Sequence, residues 1–306
     1  MRTFVFTCLL LLGMTTFAQD ANFHIYLCLG QSNMEGNAKV EEQDTVAVDS
    51  RFQVLAAVDC PNLGRTKGNW YKAVPPLARC YTGLTPGDYF GRAMVANLPS
   101  NVQVGIINVA VGGCKIELFD KDNYQSYVET SPDWLKNMVK EYGGNPYARL
   151  VEMAKLAQKD GVIKGILLHQ GESNTNDKDW PSKVKGVYDN LLKDLGLSAA
   201  NVPLLAGEVV HADQNGICAS MNTIIDSLPQ VIPTAHVISS AGCPAAFDNL
   251  HFTAEGYRIL GARYAAKMLS ILGYGDWTSA QNMNYGMLVR HKTGWKLCHW
   301  VEFPFG

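Results

Sequence analysis

The sequence predicts an α/β fold in which helices cover both faces of a mostly parallel sheet, as an α/β/α sandwich. Two observations predict it: short runs rich in Val, Ile and Leu recur along the chain, and amphipathic helical patterns separate them. Strands that are buried on both faces of a parallel sheet have this nearly continuous apolar character. The runs expected to form strands are residues 23–29, 102–109, 163–168, 202–209 and 236–239.

The segments between these runs carry helix signals. Pro146 suits the first turn of a helix, and Thr253 is placed as an N-cap before a long amphipathic stretch. In an open sheet of this kind, ligands bind beyond the carboxyl ends of the strands. The expected helices cover residues 88–98, 146–159, 182–195, 217–228 and 253–272.

Residues 1–18 have the features of a signal peptide. Arg2 supplies a positive start, residues 5–14 are apolar and uncharged, and small residues precede a cleavage point after Ala18. Cleavage there would leave a mature chain that begins near Gln19. We therefore expect a protein that is secreted or periplasmic.

The rest of the chain is expected to form one large domain with an added C-terminal segment. The domain is predicted over residues 19–275, with long loops at 44–86 and 115–144 that would shape the substrate site. Residues 276–306 are predicted to be an extension that forms a β-hairpin against the domain.

The composition suits a globular enzyme with a substantial core. Hydrophobic residues make up 47% of the chain and charged residues 18%, and the net charge is −2. This balance gives no argument for a nucleic acid partner. Beyond the N-terminal segment, no run approaches ~20 uninterrupted apolar residues, so no membrane span is expected. The sequence carries no signal for an oligomeric state.

The chain has eight cysteines, one of which lies in the N-terminal segment. Disulfides persist in the compartments that exported proteins reach, and the odd number of remaining cysteines leaves at least one thiol free. Cys60 and Cys80 flank a Gly- and Pro-rich segment and are the expected disulfide. Cys28 and Cys114 are expected to be small buried apolar residues.

Ser32 follows the first predicted strand, inside the run GQSNMEG at residues 30–36. A serine at such a position can be presented on a sharp turn at the start of a helix, where free backbone N–H groups favour negative charge. The alternative is that Ser32 only caps a helix. The motif alone does not decide between these interpretations.

Unusual residues also follow the second and third predicted strands. Gly112 and Gly113 come after the second, where paired glycines permit close backbone approach, although an ordinary turn has the same sequence. His169, Gln170 and Glu172 come after the third. Such polar side chains are costly to bury unless they are paired, which indicates a functional site at this edge of the sheet.

Asp248 and His251 precede the last predicted helix. A carboxylate three residues before a histidine, on a turn, can accept the imidazole N–H and fix its tautomer. The alternative is an Asp at a helix start and a packed His. With Ser32 and the glycine pair, these residues supply the parts that acyl transfer needs.

The chain resembles the SGNH hydrolase superfamily, and within it the carbohydrate acetylesterases that include acetylxylan esterases and sialate O-acetylesterases. The likeness runs from about residue 23 to 272. It implies a flavodoxin-like sheet and an esterase that removes O-acetyl groups from carbohydrates such as acetylated xylan or sialic acid glycans, without cofactor or metal. The motifs that carry it are GQSNM at 30–34, GG at 112–113, HQGES at 169–173 and DNLHF at 248–252.

The resemblance also implies roles for the catalytic residues. Ser32 would be the nucleophile and His251 the general base. Asp248 would be the partner of His251. Glu172 matches an acidic position that assists or replaces that partner in this branch.

The same resemblance implies an oxyanion hole. The Ser32 N–H, Gly112 or Gly113, and the Gln170 side chain would be the donors. The chain departs from the superfamily here, because the third block usually carries an Asn after a Gly-X pair. Gln170 takes that place, with Asn174 as the other candidate.

Three other functions fit parts of the pattern. A metallohydrolase could use the His and acidic residues, but the sequence has neither HExxH nor a CxxC pair. A lipase or peptidase could use the same triad, but a GxSxG elbow is lacking. The chain could also be a glycan-binding protein that has lost catalysis on an esterase scaffold.

Overall fold

The computed structural model describes residues 19–275. The signal peptide predicted over residues 1–18 and the hairpin predicted in 276–306 lie outside the described residues. The strands form one sheet in the order β3-β2-β4-β1-β5-β6-β7. The β2–β3 pair is antiparallel, and every other pair of neighbouring strands in this sheet is parallel. The strands are β1 (Asp20–Gly30), β2 (Phe52–Leu55), β3 (Trp70–Lys72), β4 (Gln103–Ala110), β5 (Gly161–His169), β6 (Leu204–Gly207) and β7 (Ala235–Ile238).

The five predicted strands are confirmed as β1, β4, β5, β6 and β7. They stand side by side in the order β4-β1-β5-β6-β7, which is the flavodoxin-like arrangement. From β1, the chain adds strands first on one side and later on the other. This topological switch point is where open α/β sheets bind their ligands, just beyond the strand ends.

Helices cover both faces of the sheet. Side chains of β1 alternate between two cores: Ile25 and Leu27 belong to one, and Tyr26 and Cys28 to the other. The described α-helices are α1 (Ser32–Glu35), α2 (Glu42–Thr45), α3 (Pro86–Asn97), α4 (Tyr124–Thr130), α5 (Asp133–Glu141), α6 (Pro146–Ala157), α7 (Trp180–Leu195), α8 (Asn222–Ile225), α9 (Leu228–Val231) and α10 (Ala254–Ile271).

The first core contains buried residues of α6 and α7, and the second contains those of α3 and α10. The three-layer α/β/α sandwich is therefore confirmed. Thr253 is the N-cap of α10, since its side chain accepts the Gly256 N–H at 3.1 Å. Short 3-10 helices lie at Pro61–Leu63, Ile116–Phe119, Glu172–Asn174, Ala212–Gln214 and Ala219–Met221.

The prediction of loops at 44–86 and 115–144 is wrong in part. The first segment contains β2 and β3, and the second contains α4 and α5. The two strands have only four and three residues at the edge of the sheet, too few for a clear period-two pattern. Residues 56–69 and 73–85 contain neither a strand nor an α-helix.

The single helix predicted at 217–228 is also wrong. The segment holds a 3-10 helix and α8, and α9 follows it. Asn222 accepts the Val209 N–H at 2.9 Å and donates to the Val209 carbonyl at 3.2 Å, which ties α8 to the end of β6. Pro229 then lies in the first turn of α9, where its missing N–H is tolerated.

Cys60 and Cys80 are disulfide-bonded, as predicted. Cys28 and Cys114 are buried free thiols, also as predicted. The bond closes the segment that carries β3, and Arg79, the residue before Cys80, pairs with Glu35 of α1. Among residues 19–275, no helix is long and apolar enough to cross a bilayer.

Candidate active site

Ser32 is the first residue of α1, directly beyond the carboxyl end of β1. Gly30 ends the strand with φ +151°, and a Cβ there would lie 2.0 Å from the His169 carbonyl oxygen. Only glycine lets the ends of β1 and β5 approach this closely. The Gln31 N–H donates to the same carbonyl at 3.0 Å, so Ser32 is held at the top of the sheet.

Ser32, His251 and Asp248 form a continuous chain of hydrogen bonds. Ser32 Oγ lies 2.8 Å from His251 Nε2, and His251 Nδ1 lies 2.7 Å from Asp248 Oδ2. The other carboxylate oxygen accepts the backbone N–H groups of Leu250 and His251, each at 3.0 Å. The structure thus brings together a serine, a histidine and a carboxylate in the arrangement of a Ser-His-Asp triad.

The carboxylate of Asp248 is held in its charged form. Burial acts to raise its pKa, but the hydrogen bonds from the His251 ring and from two backbone N–H groups outweigh burial, so the pKa lies below its usual value. An ionised Asp248 fixes the His251 tautomer in which Nδ1 carries the proton. Nε2 is then free to accept the Ser32 proton.

Glu172 lies beside the triad but does not bond to His251. It is buried in the 3-10 helix after β5, and its Oε1 accepts a hydrogen bond from Asn33 Nδ2. Within the described residues its Oε2 has no hydrogen-bond partner. Burial raises the pKa of Glu172 above its usual value, against the Asn33 hydrogen bond and the charge of His251. Of the two acids, only Asp248 contacts the base.

Asn33 is a site residue that the sequence reasoning missed. Its Nδ2 donates to Glu172 and to the Leu250 carbonyl at 3.1 Å, and its Oδ1 accepts the Tyr257 hydroxyl at 2.6 Å. Asn33 therefore links α1, which begins with Ser32, to the loop that contains His251. Its place directly after Ser32, inside the GQSNM run, is the sequence signal that could identify it.

The glycine pair lies beside the nucleophile. A Cβ at Gly112 would lie 3.8 Å from Ser32 Cβ, so the turn after β4 borders α1. The Gly112 N–H donates to Glu35 Oε1 at 3.0 Å. Gly113 has φ +69°, and among the described residues its N–H makes no hydrogen bond. Of the two glycines, Gly113 therefore has the N–H available to a substrate.

Glu35 was not singled out in the sequence. Its carboxylate accepts both the Gly112 N–H and a hydrogen bond from Arg79, which also pairs with Glu141. The side chains of Glu35 and Arg79 are only 11% and 10% exposed, so their ion pair is well shielded. An ion pair between such distant parts of the chain leaves no local sequence signal.

Gln170 does not fit the expected role of oxyanion donor. It is buried, and its Nε2 lies within hydrogen-bonding distance of three oxygens, on Gln31, Cys114 and Asn174. Its Oε1 accepts the Trp180 indole N–H. Both amide hydrogens are thus used inside the protein, and Gln170 holds neighbouring loops together instead of facing a substrate.

The other candidate, Asn174, is engaged in the same way. Its Nδ2 donates to Glu117 and Asp177, each at 3.0 Å, and its Oδ1 accepts the Ile116 N–H at 2.9 Å. The Ser32 N–H, in contrast, makes no hydrogen bond among the described residues. The N–H groups of Ser32 and Gly113 are therefore the expected donors that remain unbonded within the described residues.

His169 is a neutral core residue. It is fully buried, and desolvation lowers its pKa to about 3. Its Nε2 lies 3.8 Å from Glu172 Oε1, beyond hydrogen-bonding distance, and the Tyr264 hydroxyl lies 3.5 Å from Nδ1. Within residues 19–275, no three His, Cys, Asp or Glu side chains are grouped so that they could hold a metal ion.

The family model described as carbohydrate esterase, sialic acid-specific acetylesterase, matches residues 22–270. The chain belongs to this family. The match covers nearly all of the described residues of this carbohydrate esterase, including Ser32, Asp248 and His251.

Known proteins resemble the esterase over most of its length. A probable carbohydrate esterase of Arabidopsis thaliana is 26% identical over 262 residues, 80% of this chain and 90% of that protein. A solved structure of an Arabidopsis thaliana protein has a TM-score of 0.63 at 22% identity, covering 82% of this chain and 99% of that one. The structure of a carbohydrate acetylesterase from Xanthomonas citri has a TM-score of 0.57 at 18% identity, covering 81% of this chain and 56% of that one. The structural likenesses show a shared fold.

Proposed function

We propose that the esterase removes O-acetyl groups from carbohydrates through an acetyl-enzyme on Ser32. The observation that carries this proposal is the hydrogen-bonded chain from Ser32 Oγ through His251 to Asp248, in a member of a carbohydrate esterase family. The three residues face the end of the sheet at which α/β enzymes bind ligands.

In the first half of the reaction, Ser32 Oγ attacks the acetyl carbonyl carbon and His251 Nε2 takes the hydroxyl proton. The carbonyl oxygen becomes an oxyanion, and the charged imidazole is stabilised by Asp248. The C–O bond to the sugar then breaks, and His251 returns the proton to the sugar oxygen. The products are a free sugar hydroxyl and an acetyl ester on Ser32.

In the second half, water replaces the sugar. His251 takes a proton from the water, whose oxygen attacks the acetyl carbon, and the bond to Ser32 Oγ breaks as Ser32 regains a proton. Acetate leaves, and the triad returns to its starting state.

The oxyanion hole is assigned to the N–H groups of Ser32 and Gly113. Both lie at the edge of the sheet where the nucleophile stands, and neither makes a hydrogen bond within residues 19–275. Loss of a single oxyanion donor commonly costs about 10²–10³-fold in kcat. The Gly112 N–H has a different role, since it anchors the turn to Glu35.

We further propose that the enzyme acts outside the cytoplasm. Residues 1–18 would be cleaved near Ala18, the domain over 19–275 would carry the activity, and 276–306 would be an extension. The substrate would be acetylated xylan or an O-acetylated sialic acid glycan. The family description and the shared fold with a carbohydrate acetylesterase from Xanthomonas citri support this substrate class.

The test is acetate release from acetylated xylan, from O-acetylated sialic acid and from 4-nitrophenyl acetate, by the parent and by Ser32→Ala. We expect release by the parent and its loss in the variant, with an unchanged circular dichroism spectrum. Binding of the acetylated sugars by a folded parent that releases no acetate would overturn the proposal and favour a glycan-binding protein.

A further inference from the structure

A cavity of about 620 Å³ opens next to α1, and no residue of the Asp248 loop lines it. It lies between the segments at 35–40 and 79–83 and the end of α5. Its volume is within the range of pockets that bind small ligands. None of the triad residues lines it, so the mechanism above does not account for it.

The cavity borders the site through Glu35. This side chain lines the cavity and shares the four-residue helix α1 with Ser32. The position of a Gly112 Cβ would be 2.8 Å from Glu35 Oε2 and 3.8 Å from Ser32 Cβ. A ligand group that contacts Glu35 in the cavity therefore lies one side chain away from the turn that borders Ser32.

The walls of the cavity are held in place by bonds that do not involve a ligand. The Gly83 N–H donates to the Gly36 carbonyl and the Leu84 N–H to the Ala38 carbonyl, both at 2.7 Å. Arg79 is fixed by two carboxylates, and the next residue is in the disulfide. Such a preformed cavity binds without a large ordering cost.

The lining has the chemistry of a sugar site. Tyr81 lies on the rim with 88% of its surface exposed, and no hydrogen bond of its hydroxyl is found among the described residues. The charged groups that line the cavity are two carboxylates, Glu35 and Glu141, and two cations, Arg79 and Lys39. Balanced charges with many donors and acceptors suit hydroxyl groups, and an exposed aromatic ring suits the apolar face of a pyranose. A phosphate group would find no excess of positive charge there.

We infer that this cavity binds a pyranose ring of the acetylated glycan, with Tyr81 as its stacking platform. The inference rests on the proposed function, because it assigns the sugar side of the same ester. Tyr81 then determines the preference for sugar esters over small esters and has no part in the chemistry at Ser32.

The test compares kcat/KM for acetylated xylo-oligosaccharides, O-acetylated sialic acid and 4-nitrophenyl acetate in four proteins: the parent, Tyr81→Ala, Tyr81→Phe and Tyr124→Ala. Tyr124 is a tyrosine of α4 that does not line the cavity, so its variant controls for loss of a surface ring. We expect Tyr81→Ala to lose about tenfold on the preferred sugar ester, which corresponds to about 1.4 kcal/mol of lost stacking. Activity on 4-nitrophenyl acetate should be unchanged, and Tyr81→Phe and Tyr124→Ala should match the parent on all substrates.

Two results with Tyr81→Ala would overturn the inference: full activity on the sugar ester, or an equal loss on the sugar ester and on 4-nitrophenyl acetate. A parent that cleaves only 4-nitrophenyl acetate and neither sugar ester would also overturn it, while leaving the serine esterase intact. A parent that cleaves none of the three substrates would instead refute the proposed function.

Discussion

The backbone N–H of Gly112 donates a hydrogen bond to Oε1 of Glu35 over 3.0 Å. Glu35 belongs to the helix that begins with Ser32, and Gly112 belongs to the turn that presents the Gly113 N–H. One shielded carboxylate, itself paired with Arg79, thus links the turn at Gly112 to the helix that begins with Ser32. We propose that Glu35 is a positioning residue that acts through the backbone of Gly112.

The first prediction concerns this bond. Glu35→Ala should lower kcat for 4-nitrophenyl acetate by about 10²-fold, comparable to loss of one oxyanion donor, because the turn is no longer held. Glu35→Gln should keep much of the activity, since its amide oxygen can still accept the Gly112 N–H. Steady-state kinetics of the two variants provide the check, and a full kcat in Glu35→Ala would show that the bond does not position the turn.

The second prediction separates the two acids. Asp248→Asn should lower kcat by about 10⁴-fold, because the carboxamide no longer fixes the His251 tautomer or stabilises its charge. Glu172→Gln should retain most of the activity, since its oxygen can still accept the Asn33 hydrogen bond. The kcat values of both variants on one small ester decide the matter. A larger loss in Glu172→Gln would make Glu172 the main acid.

The third prediction concerns Asn33. Asn33→Ala leaves the buried carboxylate of Glu172 without its hydrogen-bond donor, so we expect the free energy of unfolding to fall by about 2–3 kcal/mol. A neutral carboxamide costs less to bury unpaired than a carboxylate. Adding Glu172→Gln to Asn33→Ala should therefore recover part of the loss, as measured by urea unfolding. Strictly additive effects of the two substitutions would refute this coupling.

The fourth prediction concerns Asp88, which caps α3 by accepting the Thr85 N–H at 2.9 Å. Burial raises the pKa of Asp88 to about 8 from an unfolded value of 3.8. Between these values the folded state holds a proton that the unfolded state has released, so the contribution of Asp88 to stability falls as pH rises. Asp88→Asn keeps the acceptor and cannot ionise.

The free energy of unfolding of Asp88→Asn, relative to the parent, should therefore increase steadily from about pH 5 to about pH 8. Urea unfolding of both proteins across this range measures the difference. If the difference does not change with pH, the carboxyl group of Asp88 is not held protonated in the folded state.

The strands of the central sheet and the main catalytic candidates could be predicted because their signals are local. Buried parallel strands such as β1 and β5 are continuous apolar runs, and Ser32 directly follows such a run. Asp248 and His251 are three residues apart on one turn, so their spacing alone indicates the pair. Residues whose partners lie close to them in the chain form patterns that can be recognised in the sequence.

The features that were missed depend on distant parts of the chain. The edge strands β2 and β3 are too short for a periodic pattern and are defined by pairing with β4 and with each other. The ion pair of Glu35 with Arg79 joins positions 44 residues apart. Gln170 has the residue type of an oxyanion donor, and only the surrounding acceptors show that its amide is already in use.

The proposed mechanism requires that Ser32 carries the acetyl group during turnover. This can be measured by acid quenching of the enzyme during hydrolysis of 4-nitrophenyl acetate, followed by proteolysis and mass spectrometry of the peptide that contains Ser32. We predict one added acetyl group on Ser32 in the parent, and none on this peptide in Ser32→Ala, which should also be inactive. An acetyl group on another residue, with Ser32→Ala still active, would contradict the mechanism.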